Sequence, residues 1–253
     1  MKISVAQIKP FKGDIEKNIT VHLELIQLAI EAQVSALFFP ELSITGYEAE
    51  LAKSLATDQN DKRFDVFQKI SDSNNITIGF GAPTPGISKP LVSMVLFQPH
   101  KNRLTYSKQY LYKGEEQYFE KGNEACFIQL ENHKIAPAIC YESTVVEHSE
   151  AAISQFATIY VATVMTNKSG IDKKLKGLSS LAKKHKIIVL MSNFVGVSGG
   201  SESAGKTSIW NEKGDLKGQM SDTDEGLLIY DTDSDLIKET LKNKLNDVMG
   251  AGK

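Results

Sequence analysis

Apolar positions along the chain follow two rhythms, one of period two and one of period three to four, and each predicts a different element. Residues 3–8 alternate as a strand. A helix follows, capped by Asp14, with Ile19, Leu23, Ile26 and Ile30 at helical spacing. Residues 34–39 make the next strand, which stops at Pro40-Glu41. A helix over 64–71 leads into a strand over 75–81, and segments 91–98 and 103–108 read as a hairpin around His100-Lys101-Asn102. A second hairpin pairs 126–130 with 135–140. The alternation then predicts a helix over 146–156, a strand over 159–163, a helix over 173–185 and a strand over 187–192. Short strands at 208–210 and 215–218 flank a turn, a strand covers 226–230, and a final helix runs from Leu236 to about Val248, capped by Ser234 or Asp235.

No repeat, low-complexity tract or linker interrupts this pattern. The chain therefore reads as one domain over 1–253, with a core over about 2–231 and a C-terminal helix over 236–248. Hairpins mixed with strand–helix units argue against a purely parallel sheet. Two mixed sheets stacked together, with helices outside, would bury every sheet face.

Composition narrows the function classes. Hydrophobic content of 41%, charged content of 24% and a net charge of −2 describe an ordinary soluble domain without the basic footprint of a nucleic-acid binder. Arg63 and Arg103 are the only arginines, so bidentate capture of a carboxylate or phosphate is scarcely available. No apolar run approaches the roughly 20 residues that cross a bilayer, and the opening MKISVAQIKP is strand-like rather than a leader. Two cysteines do not make a disulfide framework, so the expected location is the cytoplasm, with no membrane partner.

One motif suggests a different chemistry. Residues 200–207, GSESAGKT, match the phosphate-loop pattern G-x-x-x-x-G-K-[ST]. Such a loop works by delivering phosphates to a helix N-terminus. The following TSIWNEKGDLKGQM alternates and turns like a hairpin, so the segment reads as a glycine- and serine-rich surface loop. Asp231 begins a calcium-loop-like run, but Leu236 replaces the required glycine and Lys242 stands where a glutamate belongs.

Three strands end in a reactive side chain instead of a turn residue: one at Glu41, one at Lys108 and one at Cys140. Taken singly, these read as a helix-start acid, an exposed lysine and a small buried hydrophobe. Together they supply a nucleophile, a base to take its proton and a cation to stabilise an oxyanion. None of the five histidines carries a local signature for a cysteine–histidine pair.

The segments FFPELSITGY, YSKQYL…EEQYFEKG and PAICYES resemble the nitrilase superfamily, the carbon–nitrogen hydrolases, in order and spacing from Lys2 to about Tyr230. The resemblance implies a four-layer αββα sandwich, assembled as a homodimer or larger. It also implies cysteine-dependent hydrolysis of a non-peptide C–N bond in a small amide or carbamoyl-amine, through a thioester-type acyl-enzyme and without metal or organic cofactor. Glu41 is then the general base, Lys108 the oxyanion-stabilising cation and Cys140 the nucleophile. Glu115, or its neighbour Glu116, is the second glutamate. The Tyr141 N–H would complete the oxyanion hole, Tyr47 would line the pocket, and Cys126 would be core. The alternatives are a relative that keeps the fold for binding and a phosphate-loop nucleotide hydrolase.

Many members follow the cysteine motif with arginine and proline, whereas this chain reads Cys140-Tyr141-Glu142-Ser143-Thr144. Glu142 is expected to hydrogen-bond within the motif. Scarce arginine, with Glu48, Glu50, Glu116 and Glu142 near the expected mouth, points to a neutral or cationic substrate such as a carbamoylated polyamine. Lys168 is the competing anchor for a carboxylate.

Overall fold

The computed structural model describes residues 1–242. From the N-terminus the order is β1 (Lys2–Gln7), α1 (Ile15–Glu31), β2 (Ala36–Phe38), α2 (Ala52–Leu55), α3 (Asp65–Asn74), β3 (Thr77–Thr84), β4 (Leu91–Phe97) and β5 (Leu104–Ser107). There follow β6 (Ile128–Leu130), β7 (His133–Ile139), α4 (Val146–Ser154), β8 (Ile159–Thr163), α5 (Ile171–His185) and β9 (Ile188–Ser192). The last strands are β10 (Val195–Ser198), β11 (Ser201–Ala204), β12 (Ser208–Trp210), β13 (Leu216–Gln219), β14 (Gly226–Asp231) and β15 (Leu236–Leu241). Among the described residues no helix is long and apolar enough to cross a membrane.

The strands form a seven-stranded sheet, ordered β15-β14-β1-β2-β3-β4-β5, and a six-stranded sheet, ordered β13-β12-β9-β8-β7-β6. Period-two alternation gives each sheet two apolar faces, and three core layers result. Ile3, Val5, Phe38 and Leu96 meet Ile135, Ile139, Val161 and Leu190 between the sheets. Leu37, Phe39, Ile78 and Phe80 face α1 and α3 on one outside. Ala138, Tyr160, Ala162 and Met191 face α5 on the other, through Leu178 and Ala182. The architecture is the four-layer αββα sandwich that the sequence implies.

Helix α1 starts where expected, with Asp14 Oδ1 accepting from the Lys17 N–H at 3.1 Å. Its buried stripe includes His22, an unusual choice for a core. Burial lowers the ring to about 4 and keeps it neutral. Its Nδ1 lies 2.6 Å from the Asn18 carbonyl and its Nε2 2.9 Å from Ser43 Oγ, which in turn accepts from the Gly81 N–H at 3.2 Å. This polar thread ties the turn after β2 to β3.

Two predicted elements differ from the structure. The C-terminal helix over 236–248 is absent where the chain is described: residues 236–241 are β15, paired antiparallel with β14 from Leu236↔Asp231 to Leu241↔Gly226. The Leu236–Leu241 stretch suits either period, and the free edge of β14 decides, because six residues of ladder satisfy backbone groups that one helical turn cannot. Asp235 is therefore a turn residue at φ +57° rather than a helix cap, and Ser234 lies in the same turn. The remainder of the predicted helix lies outside the described residues.

The second difference concerns GSESAGKT. Residues 201–204 form β11, hairpinned to β10 across Gly199-Gly200, and Ser203 and Ala204 are buried. The N–H groups that would cradle phosphates are already bonded: Ala204 to the Thr166 carbonyl, Gly205 to Phe194, Lys206 to Ser221 and Thr207 to Gln7 Oε1. No helix follows, since β12 begins at Ser208. The match is a coincidence of composition.

Two glycines permit close backbone approach at the strand ends. A Cβ on Gly81 would stand 2.0 Å from the Leu42 nitrogen and 2.6 Å from the Pro40 carbonyl oxygen, so β3 can press against the turn carrying Glu41 only without one. A Cβ on Gly122 would meet the Ser107 carbonyl oxygen at 2.3 Å, beside Lys108. Gly81→Ala is expected to destabilise the fold by about 3 kcal/mol, as overpacking against an unyielding backbone does. It should also displace Glu41; urea unfolding measures the first effect and a crystal structure of the variant the second.

Candidate active site

Lys108 and Cys140 stand immediately beyond β5 and β7, and Glu41 follows β2 after Phe39 and Pro40. β1, β2 and β3 are parallel, and β5 returns to that direction through two antiparallel pairings; in the other sheet β7, β8 and β9 are parallel. All three residues thus leave the C-terminal ends of strands, where the backbone is released from the ladder and side chains converge in a crevice.

Lys108 is fully buried, with its ammonium between two carboxylates. Nζ donates to Glu41 Oε1 at 2.7 Å and to Glu115 Oε1 at 2.8 Å. Glu115 is held by the Tyr47 hydroxyl at 2.6 Å and by the Tyr112 N–H, on Oε2, at 2.7 Å. Of the paired glutamates, Glu115 is the one that reaches Lys108. Glu116 is exposed and accepts instead from the Gly114 N–H. Glu41 receives a weaker bond from the Met165 N–H at 3.3 Å, and the Cys140 thiol donates to the carbonyl of that same Met165 at 3.8 Å.

The electrostatics follow from burial with unequal charge. Desolvation, the larger influence, raises Glu41 above the ordinary carboxylate range; Lys108 opposes it and Glu115 adds to it. Burial alone would lower Lys108, but Glu41, Cys140 and Glu115 together raise it, so the ammonium stays protonated. Burial and the Glu41 charge push the Cys140 thiol up to about 12, against Lys174 and Lys108. At rest the cysteine is a neutral thiol beside a base with a raised pKa, which suits proton transfer at the moment of attack.

Cys140 has a positive φ of +48°, at the abrupt change from β7 to a single 3₁₀ turn over Cys140–Thr144. Glu142 supports that corner from beneath. Its Oε2 accepts from the Ile139 N–H at 2.7 Å and the Tyr106 hydroxyl at 2.8 Å, and its Oε1 from the Gln109 N–H at 2.6 Å. One carboxylate thus ties the strand end before Cys140 to the backbone after Lys108. Glu142 has the role within the motif that the sequence suggests. It is fully buried, however, and lies away from the mouth expected for it.

The site opens into a cavity of about 770 Å³, lined by Glu41, Glu115 and Cys140 together with Tyr47, Tyr112 and Tyr141. Tyr112 and Tyr141 meet edge to face at 5.6 Å. The acidic mouth is not found. Glu48, Glu50 and Glu116 do not line the cavity, whose remaining charged side chains are Lys173, Lys174 and Lys184. Lys168, the other anchor considered, pairs with Glu202 on the surface at 3.0 Å. Cys126 packs against the inter-sheet core as expected. Among the described residues no cluster of three His, Cys, Asp or Glu side chains is arranged to hold a metal ion.

Sequence reasoning missed two contributors. Lys174 reaches from α5 to the Cys140 carbonyl at 3.0 Å. Buried Asn193 binds the Thr166 N–H and carbonyl and the Gly205 carbonyl, fixing the wall after β8. Neither carries a local signal, since both act on backbone far along the chain.

The profile of the carbon–nitrogen hydrolase family matches residues 2–242, and the chain belongs to that family. The domain is accordingly a hydrolase of the C–N-bond class. It is 24% identical to the glutamine-dependent NAD(+) synthetase of Acinetobacter baylyi, over 92% of this chain but only 44% of the synthetase's length. It is 22% identical to a nitrilase of Pyrococcus abyssi, over 98% of this chain and 95% of the nitrilase. Its fold matches an amidase of the nitrilase superfamily from Nesterenkonia sp. AN1, solved as a cysteine-to-serine variant, with a TM-score of 0.83 at 21% identity over 93% of this chain and 92% of that one.

Glu142→Gln places an amide where four donors converge, the Tyr110 N–H at 3.4 Å being the fourth. The new NH₂ group cannot accept, so at least one buried donor loses its partner. The expected cost is about 2 kcal/mol of stability with a clear loss of turnover, read from chemical denaturation and kcat. Full activity in this variant would show that the brace does not hold the site.

Proposed function

We propose that the protein hydrolyses a small amide or carbamoyl-amine through a covalent thioester or thiocarbamate on Cys140. The observation that carries this reading is the buried Glu41–Lys108–Glu115 cluster, whose two glutamates line one open cavity with Cys140. Sγ attacks the carbonyl carbon while Glu41 takes the thiol proton. The oxyanion is met by the Lys108 ammonium, two of whose three protons are committed to carboxylates, and by the Tyr141 N–H. As the C–N bond breaks, Glu41 passes its proton to the leaving nitrogen, releasing ammonia or an amine. Glu41 then takes a proton from water, hydroxide adds to the acyl carbon, and the sulfur leaves and recovers the proton. Glu115 keeps Lys108 aimed and charged, and Tyr47 keeps Glu115 aimed. A homodimer or larger assembly, as the family resemblance implies, and a cytoplasmic location, as the cysteine count suggests, belong to the same reading.

The lysines of the cavity give a finer reading of substrate. Lys108 offsets one of the two glutamates at the floor, and the outer wall adds Lys173, Lys174 and Lys184, of which, among the described residues, only Lys184 is paired with an acid, Glu150 at 3.3 Å. This favours a neutral or anionic acyl group over the cationic substrate that the acid count in the sequence suggests.

Cys140→Ala is expected to abolish turnover across an amide panel, whereas Lys206→Ala leaves it intact and neither variant nor parent hydrolyses ATP. The parent's kcat/KM should fall as pH drops through a carboxylate pKa above the ordinary range, because a protonated Glu41 cannot accept the thiol proton. Amide turnover that persists in Cys140→Ala would overturn the mechanism. Absence of turnover by the parent on every amide would favour a binding protein.

A second measurement concerns charge. Among amides of matched size at fixed ionic strength, kcat/KM should be about tenfold lower for the cationic member than for the anionic one, a difference of about 1.4 kcal/mol. A preference for the cationic amide would reverse the substrate reading and leave the mechanism intact.

A further inference from the structure

Lys174 lies in the first turn of α5, where the helix dipole disfavours a cation, and Lys173 precedes it. The helix begins at Gly170 with no side-chain cap, so nothing in α5 itself calls for a lysine there. Among the described residues Lys174 makes no ion pair; its nearest polar partners are uncharged. Nζ donates to the Cys140 carbonyl at 3.0 Å and to Ser143 Oγ at 3.1 Å, while Ser143 Oγ donates to the same carbonyl at 2.7 Å. Both lone pairs of the Cys140 oxygen are therefore engaged, in a closed triangle that spans from α5 to the 3₁₀ turn.

That oxygen belongs to the peptide that carries the Tyr141 N–H. In a planar trans peptide the C=O and N–H point in opposite directions, so fixing one fixes the other. No side chain among the described residues accepts from the Tyr141 N–H, whereas the Ile139 N–H two residues earlier is taken by Glu142 at 2.7 Å. A positive φ at Cys140 costs an L-residue roughly 1–2 kcal/mol, and the bonds to the carbonyl join the Glu142 brace in holding this corner.

We infer that Lys174 is a positioning residue: by pinning and polarising the Cys140 carbonyl, it aims and strengthens the Tyr141 N–H as an oxyanion donor. This rests on the amidase reading given above. Drawing electron density toward the ammonium makes the N–H at the other end of the same peptide a better donor. The charge also lies close to the sulfur. Of the two cations that oppose the upward shift of the thiol, Lys174 has the larger influence, ahead of Lys108.

The test compares Lys174→Met, Lys174→Arg and Ser143→Ala with the parent and with Cys140→Ala, on a small neutral amide. Lys174→Met should lower kcat by about 10²-fold, the scale of losing an oxyanion donor, with KM within about twofold. Its alkylation by iodoacetamide should shift to higher pH. Lys174→Arg should recover at least about tenfold of the lost kcat, and Ser143→Ala should lose about tenfold, as a single neutral bond to the carbonyl implies. If Lys174→Met does not fold, the Ser143→Ala and Lys174→Arg results carry the test. Unchanged kcat in Lys174→Met or Ser143→Ala would overturn the inference, as would a loss confined to KM, which would make Lys174 a substrate contact. Turnover that needs Cys140 but ignores Lys174 defeats this inference alone; turnover that ignores Cys140 defeats the amidase reading beneath it.

Discussion

A buried ammonium requires carboxylates, and the site is arranged around that requirement. Lys108 has no exposure to water, and an unpaired charge in such a place costs several kcal/mol. Glu41 and Glu115 remove that cost, but two carboxylates on one cation leave a net negative charge in a poorly solvated space. Burial first, and the charge of Glu115 after it, raise Glu41 and make it a base rather than an inert ion-pair partner. Removing Lys108 would set two like charges against each other. Removing either glutamate would leave the ammonium with half its compensation. Position, protonation and reactivity here have a single electrostatic origin.

Around that cluster the supporting contacts act mainly on backbone. Glu142 receives N–H groups from both strand ends, His22 and Ser43 secure the turn after β2, and Gly81 lets β3 lie against it. Such contacts fix where a strand stops, and the reactive side chain then has little freedom over where it points. The arrangement also explains why polar groups as unfavourable to bury as Glu142 and His22 occur inside the sandwich: each binds partners that the sheets leave unpaired.

Glu41, Lys108 and Cys140 could be read from the sequence because each interrupts an apolar alternation at its end, where a turn residue is ordinary. Glu115 could be found only within a pair, since Glu115 and Glu116 differ in which way a short 3₁₀ turn aims them. Lys174 was invisible for another reason. Its contact crosses 34 residues to a carbonyl, and an amphipathic helix rich in lysine offers nothing to separate it from its neighbours. Residues 236–241 carry both periods, so only the open edge of β14 chooses between helix and strand. The sandwich itself was legible because stacking two sheets is the arrangement that covers the apolar faces of hairpins mixed with strand–helix units.

The apolar filling between the sheets is non-directional and resists separation far more than sliding. Directional links between the two sheets gather at the end where strands release their reactive residues: Ser192 to Ala6, Thr207 to Gln7, Met165 to Glu41, and Glu142 to Gln109 and Tyr106. At the opposite end the comparable link is the surface pair of Lys217 with Asp235. The sandwich is thus pinned like a book at its spine. The nucleophile and its base stand beside the line where directional bonds between the sheets are most numerous, and where sliding would have to break the most of them.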